Sequence, residues 1–427
     1  MDNFSKNRNS KGNILGIIVM VFLFGVISYV TNLAGQMLPI LKNQFNLSNA
    51  MGSLGNMANF IAYAVMGIPG VFLLQRMKFK KTALAAVVIG FAGVSIQYLA
   101  GYIENGFWIY LLGAFVSGFS MCLLNMVVNP MLNELGGGGR KGARLLNIGG
   151  AFNSLSGTAV VILVGAFVGE ITANTVIASV FPVMYIALAV FGLGFIILNV
   201  VNIPEPSIAK PTEPVGSLMK GSLKFLHFVL GAVTIFVYVG VEVGIPTVMN
   251  AFLTDVKNGG VGLSATTAGF VVGTYWFLML LGRIIGGAIG VSSKTMLTVT
   301  SSVSLILVMC AISMDTAINV SMPVLQIVGG KVSFGFADVP INAVFLVLTG
   351  LCASVMWPSI FNLAVEGLGK YLAVASGIFM TMVCGGGILQ WIQAKVADLT
   401  SYMASYWVVF AGFAFILYYA LKGSKKK

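Results

Sequence analysis

Twelve apolar stretches divide this chain, at about 13–38, 50–75, 82–102, 107–133, 144–168, 176–201, 223–253, 263–290, 295–314, 337–362, 371–397 and 401–421. Each reaches the roughly 20 residues that a helix needs to cross a hydrocarbon core. No other feature restricts the fold as much, because a segment in lipid must satisfy its own backbone hydrogen bonds, and a helix does so within itself. Composition agrees: 58% of the 427 residues are hydrophobic and only 8% charged, where soluble domains carry about 25% charge. A soluble globular fold is excluded, and the expectation is an all-α integral membrane protein of twelve transmembrane helices in two six-helix bundles.

The formal charge of +12 would suggest a nucleic-acid partner in a soluble protein. Its placement gives another reading. With both termini on the cytoplasmic side, every Lys and Arg falls on cytoplasmic segments except Lys42, Lys257, Lys331 and Lys395, the asymmetry that orients membrane proteins. No nucleic acid is needed to explain it, and the basic run Lys425–Lys427 reads as a topology anchor. Residues 1–12 read as a retained cytoplasmic tail, since the apolar run that follows is too long for a signal peptide and lacks its cleavage site.

The Pro-containing segment 202–222, with Pro204, Pro206, Pro211 and Pro214, separates six spans from six. This predicts bundles at 13–201 and 223–421 with a basic tail at 422–427, an arrangement in which two repeats enclose a site near the bilayer midplane. Internal echoes support it: Asn129-Pro130 running to Glu134 and Gly136 in span 4, and Trp357-Pro358-Ser359 running to Glu366 and Gly367 in span 10. Gly67-Ile68-Pro69-Gly70 in span 2 and Gly282-Arg283-Ile284-Ile285-Gly286-Gly287 in span 8 supply small residues that let helices approach closely.

Several strings are similar to those of the major facilitator superfamily, and within it to the fucose/proton symporter family and its bacterial glucose/galactose relatives. They are Leu38-Pro39, Asn129-Pro130, Arg144-Leu145-Leu146-Asn147 leading to Ala151-Phe152-Asn153-Ser154-Leu155, Tyr238-Val239-Gly240-Val241-Glu242-Val243, Tyr275-Trp276 with Gly282-Arg283, Trp357-Pro358-Ser359-Ile360-Phe361, and Gly385-Gly386-Gly387-Ile388. The resemblance covers both halves and implies the major facilitator fold, alternating access about a central sugar site, and a monomer. It also implies two proton-coupling acids, in spans 1 and 4, whose positions here are Gly35 and Asn125. The proton route that the resemblance implies therefore lacks both of its carboxylates here.

Ionisable groups at membrane depth are functional candidates by default, and one acid, Glu242 in span 7, sits clearly there. It is the candidate coupling group for a proton or sodium, or an acceptor for sugar hydroxyls; hydrogen bonding to a neighbouring helix is the plain alternative. A sugar needs amides and carboxylates for its hydroxyls and aromatic faces for its C–H surface. Asn32, Gln36, Asn125, Asn153, Tyr238, Glu242, Asn250, Tyr275, Trp357 and Gln390 are the candidate substrate contacts, while Asn56, Asn59 and Asn129 read better as interhelical bridges. Glu134 with Arg140 or Arg144, Arg283, and Glu366 with Lys370 lie at cytoplasmic span ends and are candidate gate residues.

The expected activity is secondary transport of a monosaccharide or related small sugar across the bacterial inner membrane, by uniport or with coupling through Glu242. An amino sugar, acidic sugar or disaccharide is the alternative; no Lys or Arg is expected at mid-membrane to hold an acid. A membrane enzyme on lipid-linked sugars is a remote reading, because such chemistry needs clustered acids, His or metal ligands. The single His, His227, lies near a cytoplasmic span end, and the four Cys are isolated. No cofactor or metal is expected beyond a coupling proton or sodium, no phosphate-binding loop is present, and the expected partners are a small sugar and the bilayer.

Overall fold

The computed structural model describes residues 2–136, 139–168, 174–203, 215–256, 259–288, 291–328 and 331–425. The first half comprises α1 (Asp2–Phe45), a one-turn α2 (Asn49–Gly52), α3 (Leu54–Ala100), α4 (Phe107–Leu135), α5 (Gly139–Val168) and α6 (Phe181–Val200). A short α7 (Val215–Ser222) lies in the segment between the halves. The second half comprises α8 (Leu226–Thr254), α9 (Ala265–Ala288), α10 (Ser293–Ser313), α11 (Ile341–Ala353), α12 (Met356–Val365), α13 (Leu372–Met382), α14 (Gly385–Leu399) and α15 (Tyr402–Tyr418).

Among the described residues, eleven helical stretches are long and apolar enough to cross a membrane. The 47-residue α3 holds spans 2 and 3 together, because Lys78, at φ 64° and ψ 177°, breaks the helix between two span-length arms. Twelve crossings result. Spans 10 and 11 are each interrupted, giving α11 with α12 and α13 with α14. At the second break the Gly385-Gly386-Gly387 string lies directly against the Phe236 carbonyl and the Phe60 ring, where any Cβ would collide. Helices in lipid gain from such close backbone approach, since they lack a hydrophobic drive to associate.

Between α10 and α11 lies an element that hydropathy does not reveal: an antiparallel hairpin of β1 (Asn319–Val328) and β2 (Lys331–Pro340), in register from Asn319 opposite Pro340 to Val328 opposite Lys331. Residues 337–340, expected at the start of span 10, belong to β2 instead. The sequence does carry its signal, two alternating runs flanking Gly329-Gly330. Met322, Val324, Ala337 and Val339 are buried, while Phe334 and Phe336 are exposed. The Leu325 N–H donates to the Thr274 hydroxyl at 3.4 Å, and the Phe334 ring lies 6.1 Å from that of Phe277, so the hairpin lies along α9.

The halves meet along three seams: α3 against α13 and α14, α5 against α9, and α1 against α8. Comparable packing does not join α4 to α11 or α12 among the described residues. Spans 1 and 7 therefore close one end of the bundle, while spans 4 and 10 stand apart toward the other.

Candidate functional site

From Tyr238 to Thr254 every residue of α8 is buried except Glu242, whose side chain stays 13% open. Likewise Asn125 and Asn129 are the partly open residues of α4 between Met121 and Asn129. Polar residues inside a membrane bundle face its interior or a hydrated cavity rather than lipid, so these openings mark the cleft. Trp357, at the start of α12, and Asn153, midway along α5, are partly open as well.

Glu242 is held from three directions. The Tyr238 hydroxyl, one turn earlier, donates to Glu242 Oε1 at 2.8 Å and lies 3.1 Å from the Ala353 carbonyl. The Tyr275 hydroxyl donates to the Glu242 backbone carbonyl at 3.0 Å. That carbonyl lacks its usual helical donor, because residue 246, four positions on, is Pro246 and has no N–H. Tyr275 supplies the missing hydrogen, which explains a buried tyrosine aimed at a helix backbone. The third neighbour is Arg283, whose Nη2 lies 3.7 Å from Glu242 Oε1.

Arg283 corrects the expectation that mid-membrane contains no basic group. Its Cα sits near the C-terminal end of α9, but the long side chain brings the guanidinium inward, and it is only 12% open. It also donates to the Gly150 carbonyl and, at 2.9 Å, to the Ser154 hydroxyl on α5. Arg283 thus ties the two halves beside Asn153, whose amide donates to the Phe24 carbonyl at 3.1 Å. An acid and a base buried together carry no net charge, which lowers the cost of holding either in a low-dielectric interior.

Aromatic surface surrounds the acid. The Trp357 ring lies 6.3 Å from that of Tyr238 and 5.9 Å from that of Phe379. Across the cleft, Asn125 donates to the Tyr63 hydroxyl at 3.0 Å, and Asn129 donates to the Asn125 carbonyl at 2.8 Å. Asn32 donates to the Ser28 carbonyl and hydroxyl at 2.9 and 3.0 Å. The arrangement offers one carboxylate, one guanidinium, several amides with spare capacity and an indole face, which suits a small polyhydroxylated solute. Among the described residues no group of three or more His, Cys, Asp or Glu could hold a metal.

Other nominated residues fall in the seams. Gln36 Oε1 accepts from Asn250 at 3.0 Å, joining α1 to α8, and Gln390 Oε1 accepts from Asn56 at 3.3 Å, joining α14 to α3. At the end where spans 4 and 10 stand apart, Glu134, Glu366 and Lys370 are exposed. The Lys370 ammonium lies 5.3 Å from the Tyr371 ring centre, and His227 Nε2 lies 3.0 Å from the Glu366 carbonyl. The side chains of Arg140 and Arg144 lie outside the described residues.

Sequence reasoning passed over the polar cluster at the end that spans 1 and 7 close. The Lys42 ammonium donates to Asn49 Oδ1 at 2.5 Å, to Asp255 Oδ2 at 3.0 Å and to the Tyr402 hydroxyl at 3.1 Å. These residues stand at span ends, where charge is ordinary, and only the fold brings them together.

The Major Facilitator Superfamily model matches residues 17–390. The chain belongs to this family. It is 29% identical over 432 residues to the glucose/galactose transporter of Brucella abortus biovar 1 (strain 9-941), covering 99% of this chain and 96% of the relative. It is 28% identical over 435 residues to the putative glucose/galactose transporter of Helicobacter pylori (strain J99), covering 97% and 98%. With the L-fucose-proton symporter of Escherichia coli K12 identity is 20% over 416 residues, covering 91% and 88%. The crystal structure of FucP, a transporter of the same superfamily, in the outward conformation superposes with a TM-score of 0.71 at 19% identity, covering 97% of this chain and all of that one, which shows a shared fold.

Proposed function

We propose that the protein is a secondary transporter that moves a monosaccharide across a bacterial inner membrane by alternating access, with both termini cytoplasmic. The observation that carries the reading is the partly open Glu242, clamped by Tyr238, Tyr275 and Arg283 beside the Trp357 ring. The near full-length likeness to proteins named glucose/galactose transporters supports a hexose.

With Gly35 and Asn125 where the resemblance implies acids, coupling falls to Glu242, whose carboxylate exchanges its bond to Arg283 for a proton or sodium. Loss of this contact leaves the guanidinium held by its bonds to Gly150 and Ser154 on α5 alone. Transport thus links the charge state of one half to its grip on the other.

Proteoliposome uptake of labelled glucose, galactose and fucose tests this, with an imposed proton gradient, a sodium gradient or neither. The expected result is hexose accumulation under one gradient, reduced to equilibration by Glu242→Gln. Accumulation by that variant as strong as in the native protein would remove Glu242 from coupling. Equal, non-accumulating uptake by both under every condition would make the protein a uniporter.

A further inference from the structure

The outer end carries a second ionic assembly that central-site chemistry does not use. Lys42, at the last turn of α1, and Asn49, at the start of α2, belong to the first half. Asp255, just past α8, Asp398, near the end of α14, and Tyr402, at the start of α15, belong to the second. Lys42 Nζ lies 3.0 Å from Asp255 Oδ2, and the two side chains are only 12% and 8% open. The Tyr402 hydroxyl donates to the same Asp255 oxygen at 2.6 Å and lies 3.0 Å from Asn49 Oδ1, closing a ring of four side chains across the interface. Beside it Asp398 accepts the backbone N–H groups of Asn49 and Ala50, one on each carboxylate oxygen, both at 2.8 Å.

Both attachments follow one pattern. A carboxylate of the second half takes a hydrogen-bond donor of the first, and ionised acceptors make bonds about twice as strong as neutral ones. Burial adds directionality: with Asp255 gone, the Lys42 charge would remain nearly enclosed and unpaired, a costly state. Opening the mouth restores water to every one of these groups, so the assembly is worth most when closed. Beneath it Gln36 and Asn250 share an amide hydrogen bond across the same seam.

We infer that Asp255 and Asp398 form a two-point lock on the outer mouth, and that this lock sets the balance between the inward-facing and outward-facing states. It is separate from the central pair: Glu242 and Arg283 bear on the α5–α9 seam, whereas the lock bears on α1, α2 and the outer ends of α8, α14 and α15.

The test needs no substrate, so its outcome is independent of the transport reading. Val164, buried at the outer end of α5, lines a small cavity between the halves together with Gln36, Ile40, Asn250 and Ala265. Val164→Cys in a background with the four native cysteines changed to serine or alanine is labelled by a membrane-impermeant maleimide from the outside. Asp255→Asn and Asp398→Asn should each raise the labelling rate by about ten-fold, the effect of losing one charged hydrogen-bond partner. The exchange of charges in Lys42→Asp with Asp255→Lys should bring the rate back toward the starting value. Tyr402→Phe, which removes one hydroxyl, gives a smaller increase and guards against misfolding of the charge variants. Unchanged labelling in correctly inserted, monodisperse Asp255→Asn and Asp398→Asn proteins would overturn the lock.

Discussion

The Glu242–Arg283 pair makes a quantitative demand on the protein. At the observed 3.7 Å, two unit charges attract by about 4–5 kcal/mol for an effective dielectric near 20. The slight opening of both side chains toward the cleft brings the expected coupling down to about 2–4 kcal/mol, and removing one partner of a buried pair typically costs about 3–5 kcal/mol. The two single changes should differ. Glu242→Gln leaves the guanidinium without its carboxylate partner, though Gly150 and Ser154 still receive it. Arg283→Met leaves a carboxylate that can neutralise itself by taking a proton, but it also deletes both bonds to α5, about 1–3 kcal/mol more. The double variant Glu242→Gln with Arg283→Met carries no orphan charge and should be less destabilised than the sum of the singles by about 2 kcal/mol or more. Reversible denaturation in detergent micelles of the four proteins measures this directly. Additivity within about 0.5 kcal/mol would refute the pairing, whatever the transport assay gave.

Three further outcomes follow from geometry. Trp357→Ala should raise the KM for sugar by about ten-fold, a loss near 1.4 kcal/mol, with Trp357→Phe retaining most of the affinity in proteoliposome uptake; equal kinetics for all three proteins would remove the indole from the site. Lys78→Gly should stabilise the protein by about 1–3 kcal/mol in the same denaturation series, because φ 64° with ψ 177° is a conformation that side-chain-bearing residues rarely adopt; a destabilised variant would contradict the break at this position. Gly67→Ala should wedge α3 away from α13 and slow transport, and Thr381→Ala should not rescue it, since an added Cβ would lie 2.8 Å from the Thr381 backbone nitrogen as well as against its side chain; native uptake rates in the single variant would show that this seam does not need close contact.

The crossings were legible because hydropathy integrates over about 20 residues, and errors at single positions average out. What this average cannot see is a local departure from helix. Lys78 sits in the basic stretch Arg76–Lys81, which reads as a loop between two spans, yet helical geometry runs up to it from both sides. The β1–β2 hairpin escaped for a related reason: Val320, Met322 and Val324 share one face and Phe334 and Phe336 the other, and only period-two analysis separates such runs from a short helix. The breaks in spans 10 and 11 leave less trace, since Ser354 and the Gly385–Gly387 string are equally at home within a close-packed helix.

Legibility of the site divides along another line. Glu242 stands out from sequence because an acid surrounded by apolar residues has few explanations, and Tyr238 follows from it by one helical turn. Arg283 does not, because its Cα lies within a few residues of a span end, where basic residues are ordinary; only the reach of its side chain brings it to Glu242. Tyr275 needed the knowledge that Pro246 orphans the Glu242 carbonyl, a fact present in the sequence as the spacing 242 to 246 but given meaning only by α9 packing there. Asp255, Asp398 and Lys42 are the extreme case. Each is a plain span-end charge, 143 residues separate the two acids, and their partnership depends on how one half sits against the other. A transporter's gates are made from such contacts, because groups that must part in each cycle need to be stable both when paired and when hydrated, and span-end charges meet both requirements.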